Sequence, residues 1–462
     1  MRIEYLKIIT LCSLMGGLTL AVSACGGDNP TPTIDPDPNP APNPGGGTTT
    51  EYFAAKVGET LPAWTEGTLD IHSISTGRGE SYLFILPDGT TLLVDAAGSL
   101  LTNKVCETNG IAERPLEYRP NGNISSGTVI ADYVKHFNPH GQKVDYWMNS
   151  HFDTDHMGNF PESYAKICPV SAAVKKHAEG DFYLNGINEV GTLLDFKKII
   201  DRGYTAPIDR SGEARMKDYI KFLNWTKKTK GTVYEPANVG HNDQVVMNYN
   251  PSKYSGDLDI RILCAGGWYW TGSGQDKKCN LPLDSKGNPD QAAIKAANPK
   301  ENIYSVGFML KFGKFDYFTA GDLQYNSRST TPWLDSEAPL IPVVKPVEMM
   351  KACHHGTSNT NSSELLKVLA PKQVLVSPWR DVQPRPETLG RFLTASPNAS
   401  IFTTDVDSDN KNKLTNYFSN VKSWGGHIVV RVAPTGEYKI FILDDTNQDY
   451  KVKAIHGTYK SL

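Results

Sequence analysis

From residue 68 onward the chain alternates short apolar runs with turn sequences. LDIHSIS, SYLFILP and TTLLVDA are each long enough for a strand, and TGRGE and PDGT separate them. A helix is predicted around Ser126–Phe137, then a strand in KVDYWMNS. Residues 162–235 carry charged faces (AVKKHAEG, LLDFKKIIDRG, ARMKDYIKFLNW) and are predicted mostly helical. A second train of strands begins near residue 244 with QVVMNY and LDIRILCAGG. A polar loop interrupts it over about 271–300, and it resumes with YSVGFMLKFG, KFDYFTAGD and VEMMKACHHG. Helices SSELLKVLA and PETLGRFLTA then alternate with QVLVSPW, ASIFTT, GHIVVRVA and EYKIFIL. Strands dominate, with helices between the later ones, which predicts an α/β fold of two sheets packed face to face with helices outside. No repeat of fixed period is present.

The N-terminal end departs from this pattern. Residues 1–24 have Arg2 and Lys7 near the start, then an apolar run, then LAVSAC ending at Cys25, the layout of a secretory signal. Small residues before a cysteine, followed by glycines, resemble the lipobox of bacterial lipoproteins, which implies cleavage and a lipidated Cys25. Residues 25–50 are rich in Pro, Gly and Thr with almost no core formers, so they read as a disordered tether. Residues 51–462 are left for the globular part. The expected protein is exported and anchored to a membrane through its N-terminal lipid. A formal net charge of −3 argues against a strongly basic nucleic-acid surface.

Beyond Cys12 and Cys25 there are five cysteines and no CxxC pair, which makes a zinc ribbon a poor reading. Cys106–Cys168 and Cys264–Cys279 are the candidate disulfides, with Cys353 as the candidate free thiol.

Chemistry gathers where predicted strands end. LLV runs into Asp95, VDYWMNS into His151, FDYFTAG into Asp322, and VEMMKAC into His354 and His355. In layered α/β folds ligands collect at that edge. The densest cluster is SHFDTDHMGN, residues 150–159, with His151, Asp153, Asp155 and His156 inside six positions. His151 and Asp153 project to one side of an extended segment. A turn into a helix would let Asp155 and His156 face a second ion. Ions in two-metal hydrolytic sites stand roughly 3.5–4 Å apart, a span such a loop can cover.

HxDxDH followed by MGN is similar to the HxHxDH signature of the metallo-β-lactamase superfamily. NIYSVGFMLKFGKFDYFTAGD, KACHHGTSNTNSS and STGRGESYLFILPDG resemble further segments of the hydrolase domain of ComEC competence proteins. The resemblance spans about residues 68–440 and implies a four-layer αββα sandwich. The helical stretch at about 162–235 and the loop at about 268–300 would then be insertions. It implies that His151, Asp153, Asp155 and His156 ligate metal and that Asp322 bridges two ions. His354 or His355 adds a ligand; His354 is assigned to the metal, and His355 shares a catalytic part with Asp155. Asp95 would orient a ligand histidine. Gln383 stands where such domains usually carry a histidine before proline, so the second ion's shell is open to question. His241 is the one candidate replacement, and it reads better as a surface residue. His72, His136, His140, His177, His427 and His456 read as ordinary core or surface histidines.

The implied cofactor is one or two divalent ions, zinc foremost and manganese second, since carboxylates suit harder ions. The implied activity is hydrolysis by metal-activated water, with a small-molecule or nucleic-acid phosphoester as substrate and no protein partner. TSNTNSS could hold phosphate oxygens, although Ser362 or Ser363 also fits as a helix cap. The aromatic segment GGWYWTGSG could wall the cleft. Two alternatives stand beside this reading: an amide, lactone or thioester hydrolase on the same fold, and a surface lipoprotein that binds without catalysis.

Overall fold

The computed structural model describes residues 52–158, 174–326 and 331–461. The leader, the tether with Cys25, and Cys168 lie outside the described residues.

Sequence alternation explains the first sheet. It contains β1 (Leu69–Ser73), β2 (Tyr82–Ile85), β3 (Thr91–Val94), β4 (Lys143–Met148), β5 (Asp195–Asp201) and β6 (Val233–Pro236). Along β2, Leu83 and Ile85 face one core while Tyr82 and Phe84 face another, the period of two that a strand imposes. The second sheet comprises β7 (Leu258–Ala265), β8 (Trp268–Trp270), β9 (Lys277–Cys279), β10 (Gly307–Phe312) and β11 (Phe315–Thr319). It continues with β12 (Met349–Lys351), β13 (Gln373–Val376), β14 (Ser400–Thr403) and β15 (Val421–Trp424). Three last strands return to the first sheet: β16 (His427–Val432), β17 (Glu437–Leu443) and β18 (Val452–Lys460).

The strand order is 18-17-16-1-2-3-4-5-6 in the first sheet and 15-14-13-12-11-10-7-8-9 in the second. Phe84, Leu92 and Tyr146 of the first sheet pack against Phe308, Tyr317 and Met349 of the second. The outer face of the first sheet is covered by helices Ser126–Phe137, Ile187–Leu193 and Ala214–Lys230. Ser363–Leu369 and Pro386–Ala395 cover the outer face of the second through Leu365, Leu389 and Phe392. The fold is therefore a four-layer αββα sandwich.

Both sheets change character at one point. β3 pairs antiparallel with β2 but parallel with β4. β11 pairs antiparallel with β10 but parallel with β12. Parallel neighbours put their C-terminal ends together. The ends of β3, β4, β11 and β12 thus carry Asp95, His151, Asp322 and His354 to the same edge.

Several local expectations need correction. Among the described residues 174–235 the expected helical insertion is interrupted by β5 and β6, which extend the sheet parallel to β4. The run DFKKIID misleads because its charged first half is partly exposed while only its last three residues are all buried. Ile199 joins the outer core and Ile200 the inner one, which removes the alternation that marks a half-exposed strand. Residues 268–300 are not only a loop: β8 and β9 form an antiparallel edge, and Gln291–Ala297 is a helix. QVVMNY forms no strand, whereas β15 and β18 are strands that the pattern does not announce. Cys264 and Cys279 are both free. β8 lies between them, pairing Tyr269 with Cys264 and Trp268 with Cys279. Two strand spacings of about 4.8 Å exceed the roughly 7 Å Cα limit for a disulfide. Cys353 is free and buried.

Candidate metal centre

The cluster begins where β4 ends. His151 is extended, and Asp153 takes the N-cap position of the short helix Thr154–Met157. An aspartate there ordinarily caps the helix, yet this side chain makes no capping bond. Its Oδ2 lies 3.6 Å from His151 Nε2 instead. The helix turns Asp155 and His156 to the other side.

One oxygen gathers the site together. Asp322 Oδ2, at the end of β11, lies 3.1 Å from His156 Nε2, 3.4 Å from His355 Nε2, 3.6 Å from His354 Nε2 and 4.0 Å from His151 Nε2. Asp155 Oδ2 stands 2.9 Å from His355 Nε2 and 3.5 Å from His156 Nε2. Asp155, His156, Asp322 and His355 can thus offer one ligand atom each within 4.8 Å of one another. His151, Asp153 and His354 stand beside this group without belonging to it. Asp153 and His354, with side chains 36% and 26% exposed, form the open rim.

The imidazole tautomers follow from their outer partners. Asp95 accepts from Ser150 N at 2.6 Å, from Ser150 Oγ at 2.8 Å and from His156 Nδ1 at 2.8 Å. Ser150 Oγ spends its proton on Asp95, so it accepts from His151 Nδ1 at 3.0 Å. His355 Nδ1 faces Ser377 O at 2.8 Å and Glu80 Oε1 at 3.1 Å, acceptors both. In all three rings Nδ1 carries the proton and Nε2 points inward, the arrangement of a metal-ligating histidine. His151 Nε2 and His156 Nε2 are buried without a hydrogen-bond partner. A buried polar atom left so is costly; a cation would satisfy both.

Electrostatics agree. Burial would raise the Asp322 carboxyl, but His156, His355, His354 and Lys351 hold it well below the usual range. Asp155 is held low against burial by His156 and His355. Burial disfavours charge on His156, yet Asp322, Asp155 and Asp95 hold it well above the usual imidazole value. His355 is raised against burial likewise, by Asp322 and Glu80. His354 is lowered, burial outweighing Asp322.

Backbone conformation serves the same edge. Asp95, His354 and His355 have φ of 59°, 48° and 55°, a left-handed region that non-glycine residues rarely adopt. Such residues gather where the surroundings over-determine them, often at functional sites.

Not every expected residue joins the cluster. Gln383 is buried, and its Oε1 accepts from Trp379 N and Arg380 N at 3.0 Å. It shapes a loop whose Pro384 packs on Gly356 and whose Arg385 N donates to Gly356 O, so it supports the His354–His355 turn from behind. The segment TSNTNSS is likewise committed to structure. Ser362 caps a helix through Leu365 N, and Asn361 holds Cys353 by its backbone N and O. His241 is a surface residue beside Asp243. Tyr269 and Trp270 of the aromatic segment line a separate cavity of about 750 Å³ that includes none of the cluster.

Ser150, Glu80, Lys351 and Asn302 join the site without having been named as site residues, although each lies in one of the segments that drew attention to it. Ser150 directly precedes His151, and that adjacency is the one signal available for it. Asn302 Nδ2 lies 3.3 Å from His354 Nε2; its place at the start of the NIYS segment is the one signal for it.

No family model matches the chain, and no curated protein matches it. Two solved structures overlap it in part. One, from Parabacteroides distasonis, is named as a metal-dependent hydrolase. It is 12% identical, covers 72% of this chain and 97% of its own, and gives a TM-score of 0.27. The other is a point mutant of the β-hydroxylase CmlA, 12% identical, covering 84% of this chain and 60% of its own, with a TM-score of 0.33. Overlaps this slight carry no argument about the chain's chemistry.

Proposed function

We propose that this chain is a metal-dependent hydrolase of phosphoesters, exported and held at a membrane by a lipid on Cys25. The observation that supports it best is the single oxygen Asp322 Oδ2 ringed by four histidine Nε2 atoms. In this reading Asp155, His156 and His355 would hold one divalent ion, and His151, Asp153 and His354 another. Asp322 would be common to both. Buried charge favours two ions over one. Glu80, Asp95, Asp155 and Asp322 are buried carboxylates beside one buried ammonium, Lys351. A single divalent ion would leave net negative charge in a low-dielectric site, which is expensive.

Bound there, two divalent ions would lower the pKa of a coordinated water to about 7 and offset the charge of an anionic substrate. The chain's own residues do the rest. Asp155 would orient the attacking water, its carboxylate kept ionised by the histidines beside it. Asp95 and Ser150 hold the imidazoles in register. At the rim, Arg215 donates from Nη1 to Phe152 O at 2.9 Å and lies 3.8 Å from Asp153 Oδ1. A part-exposed guanidinium at that position suits an anionic substrate. Zinc is the first choice of metal and manganese the second.

Metal analysis of the full chain purified without chelator, followed by assay of bis-p-nitrophenyl phosphate against a lactone and a β-lactam, tests this. Close to two ions per chain and phosphodiester turnover abolished by Asp322→Asn are expected. Lactone turnover without phosphodiester turnover would refute the substrate class. Metal far below one ion per chain would favour a non-catalytic binding module.

A further inference from the structure

Asp322 and His355 come from the second sheet, whereas the SHFDTDHMGN loop hangs from the first. Something must hold the two halves in register, and a buried ion pair spans them. Glu80 ends the turn before β2 in the first sheet, and Lys351 is the last residue of β12 in the second. Their side chains are 2% and 1% exposed, and Lys351 Nζ lies 2.8 Å from Glu80 Oε2.

The ammonium has three protons and three acceptors. Besides Glu80 it donates to Gly321 O at 2.7 Å and faces Asp322 Oδ1 at 3.4 Å. Asp322 is therefore gripped by one oxygen and presents the other, Oδ2, to the four imidazoles. Without that grip its carboxylate could turn about the Cβ–Cγ bond and offer either edge. Glu80 acts similarly on His355. Its Oε1, which makes no hydrogen bond of its own, stands 3.1 Å from His355 Nδ1, so that Glu80 and Ser377 O bracket that proton. One carboxylate thus ties a ligand histidine to the lysine that holds the shared aspartate. A buried ion pair by itself adds little stability over an apolar pair of the same volume, so position accounts for this one better than stability does.

We propose that Glu80 and Lys351 are positioning residues of the metal centre, aligning Asp322 Oδ2 and His355 Nε2 with the ligands of the first sheet; this rests on reading the cluster as a metal site. The test uses the full chain as wild type, Glu80→Gln, Lys351→Met and the double variant. Zn²⁺ affinity is measured by competition with a chromophoric chelator, Co²⁺ geometry by the visible spectrum, and folding by the unfolding midpoint. Each single variant should bind Zn²⁺ roughly 10- to 100-fold more weakly, the scale for lost outer partners of metal ligands. The double variant removes both charges of the Glu80–Lys351 pair together. It should unfold near the wild-type midpoint yet keep the weakened affinity and a shifted Co²⁺ spectrum. Wild-type affinity and spectrum in the double variant would overturn the proposal while leaving the metal site standing. Failure of the wild type itself to take up Zn²⁺ or Co²⁺ would overturn both. If the double variant does not fold, Glu80→Asp keeps the charge and shortens its reach. Weaker Zn²⁺ binding with a shifted Co²⁺ spectrum is again expected, and wild-type values would overturn the proposal.

Discussion

Glu301 offers a prediction that can be worked through in numbers. Its carboxylate accepts from Arg202 Nε at 2.6 Å and Nη2 at 3.0 Å, and Arg210 Nη2 lies 3.0 Å away. It also accepts from Phe152 N at 3.2 Å, the residue between His151 and Asp153. Burial alone would raise this carboxyl, but Arg202, Arg210 and Arg215 bring it from the ordinary 4.5 down to about 2. At about 1.4 kcal/mol per unit this corresponds to about 3 kcal/mol of stability at pH 7. Breaking a buried pair by removing one partner costs roughly 3–5 kcal/mol, which agrees. Glu301→Gln keeps the shape and removes the charge, so it should lose about 3 kcal/mol at pH 7. The sign with pH follows from the depressed folded value. The stabilisation is complete above 4.5 and is lost as pH falls through 4.5 toward 2. The gap between wild type and variant should therefore narrow on acidification, by about 1 kcal/mol at pH 4. Denaturant unfolding of both proteins at pH 7 and pH 4 measures this. A gap below about 1 kcal/mol at pH 7, or one that widens at pH 4, would refute the reasoning.

Three more outcomes are expected. The raised His156 and His355 carry protons at pH 7 when no metal is bound, so Zn²⁺ binding should release about two protons; affinity should fall as pH drops, and calorimetry in buffers of different ionisation enthalpy counts the protons. Gly79 has φ +133°, and a Cβ there would stand 1.8 Å from Asp155 O; Gly79→Ala should displace the HxDxDH loop, losing at least about tenfold in Zn²⁺ affinity, and unchanged affinity would contradict the packing described. Cys25→Ser should abolish incorporation of radiolabelled palmitate and release the chain from the membrane fraction, while label retained in the variant would rule out Cys25 as the lipid site.

What sequence alone could determine about this protein was local or chemical. The short apolar run in SYLFILP, bounded by turn residues, and the alternation at the start of EYKIFIL mark strands, and they appear as β2 and β17. The density of ligand types in SHFDTDHMGN marks a site because chance seldom places four in six positions at a strand end. β5 escapes a sequence reading because its paired lysines look like a helix face and its two apolar neighbours Ile199 and Ile200 face different cores, and β18 because an edge strand with part-exposed, charged residues looks like a tail. The resemblance supplied the sandwich and the role expected of Asp322, but it left His354 and His355 unresolved and cast doubt on a site with Gln383. Only the tertiary structure showed both histidines turning Nε2 toward Asp322 Oδ2, at 3.6 Å for His354 and 3.4 Å for His355. Both residues have left-handed φ, and no single-residue preference foretells that. Glu80, Lys351 and Ser150 were likewise invisible as site residues. Their importance comes from which sheet edge faces which, and that is decided by how two nine-stranded sheets pack over a shared core.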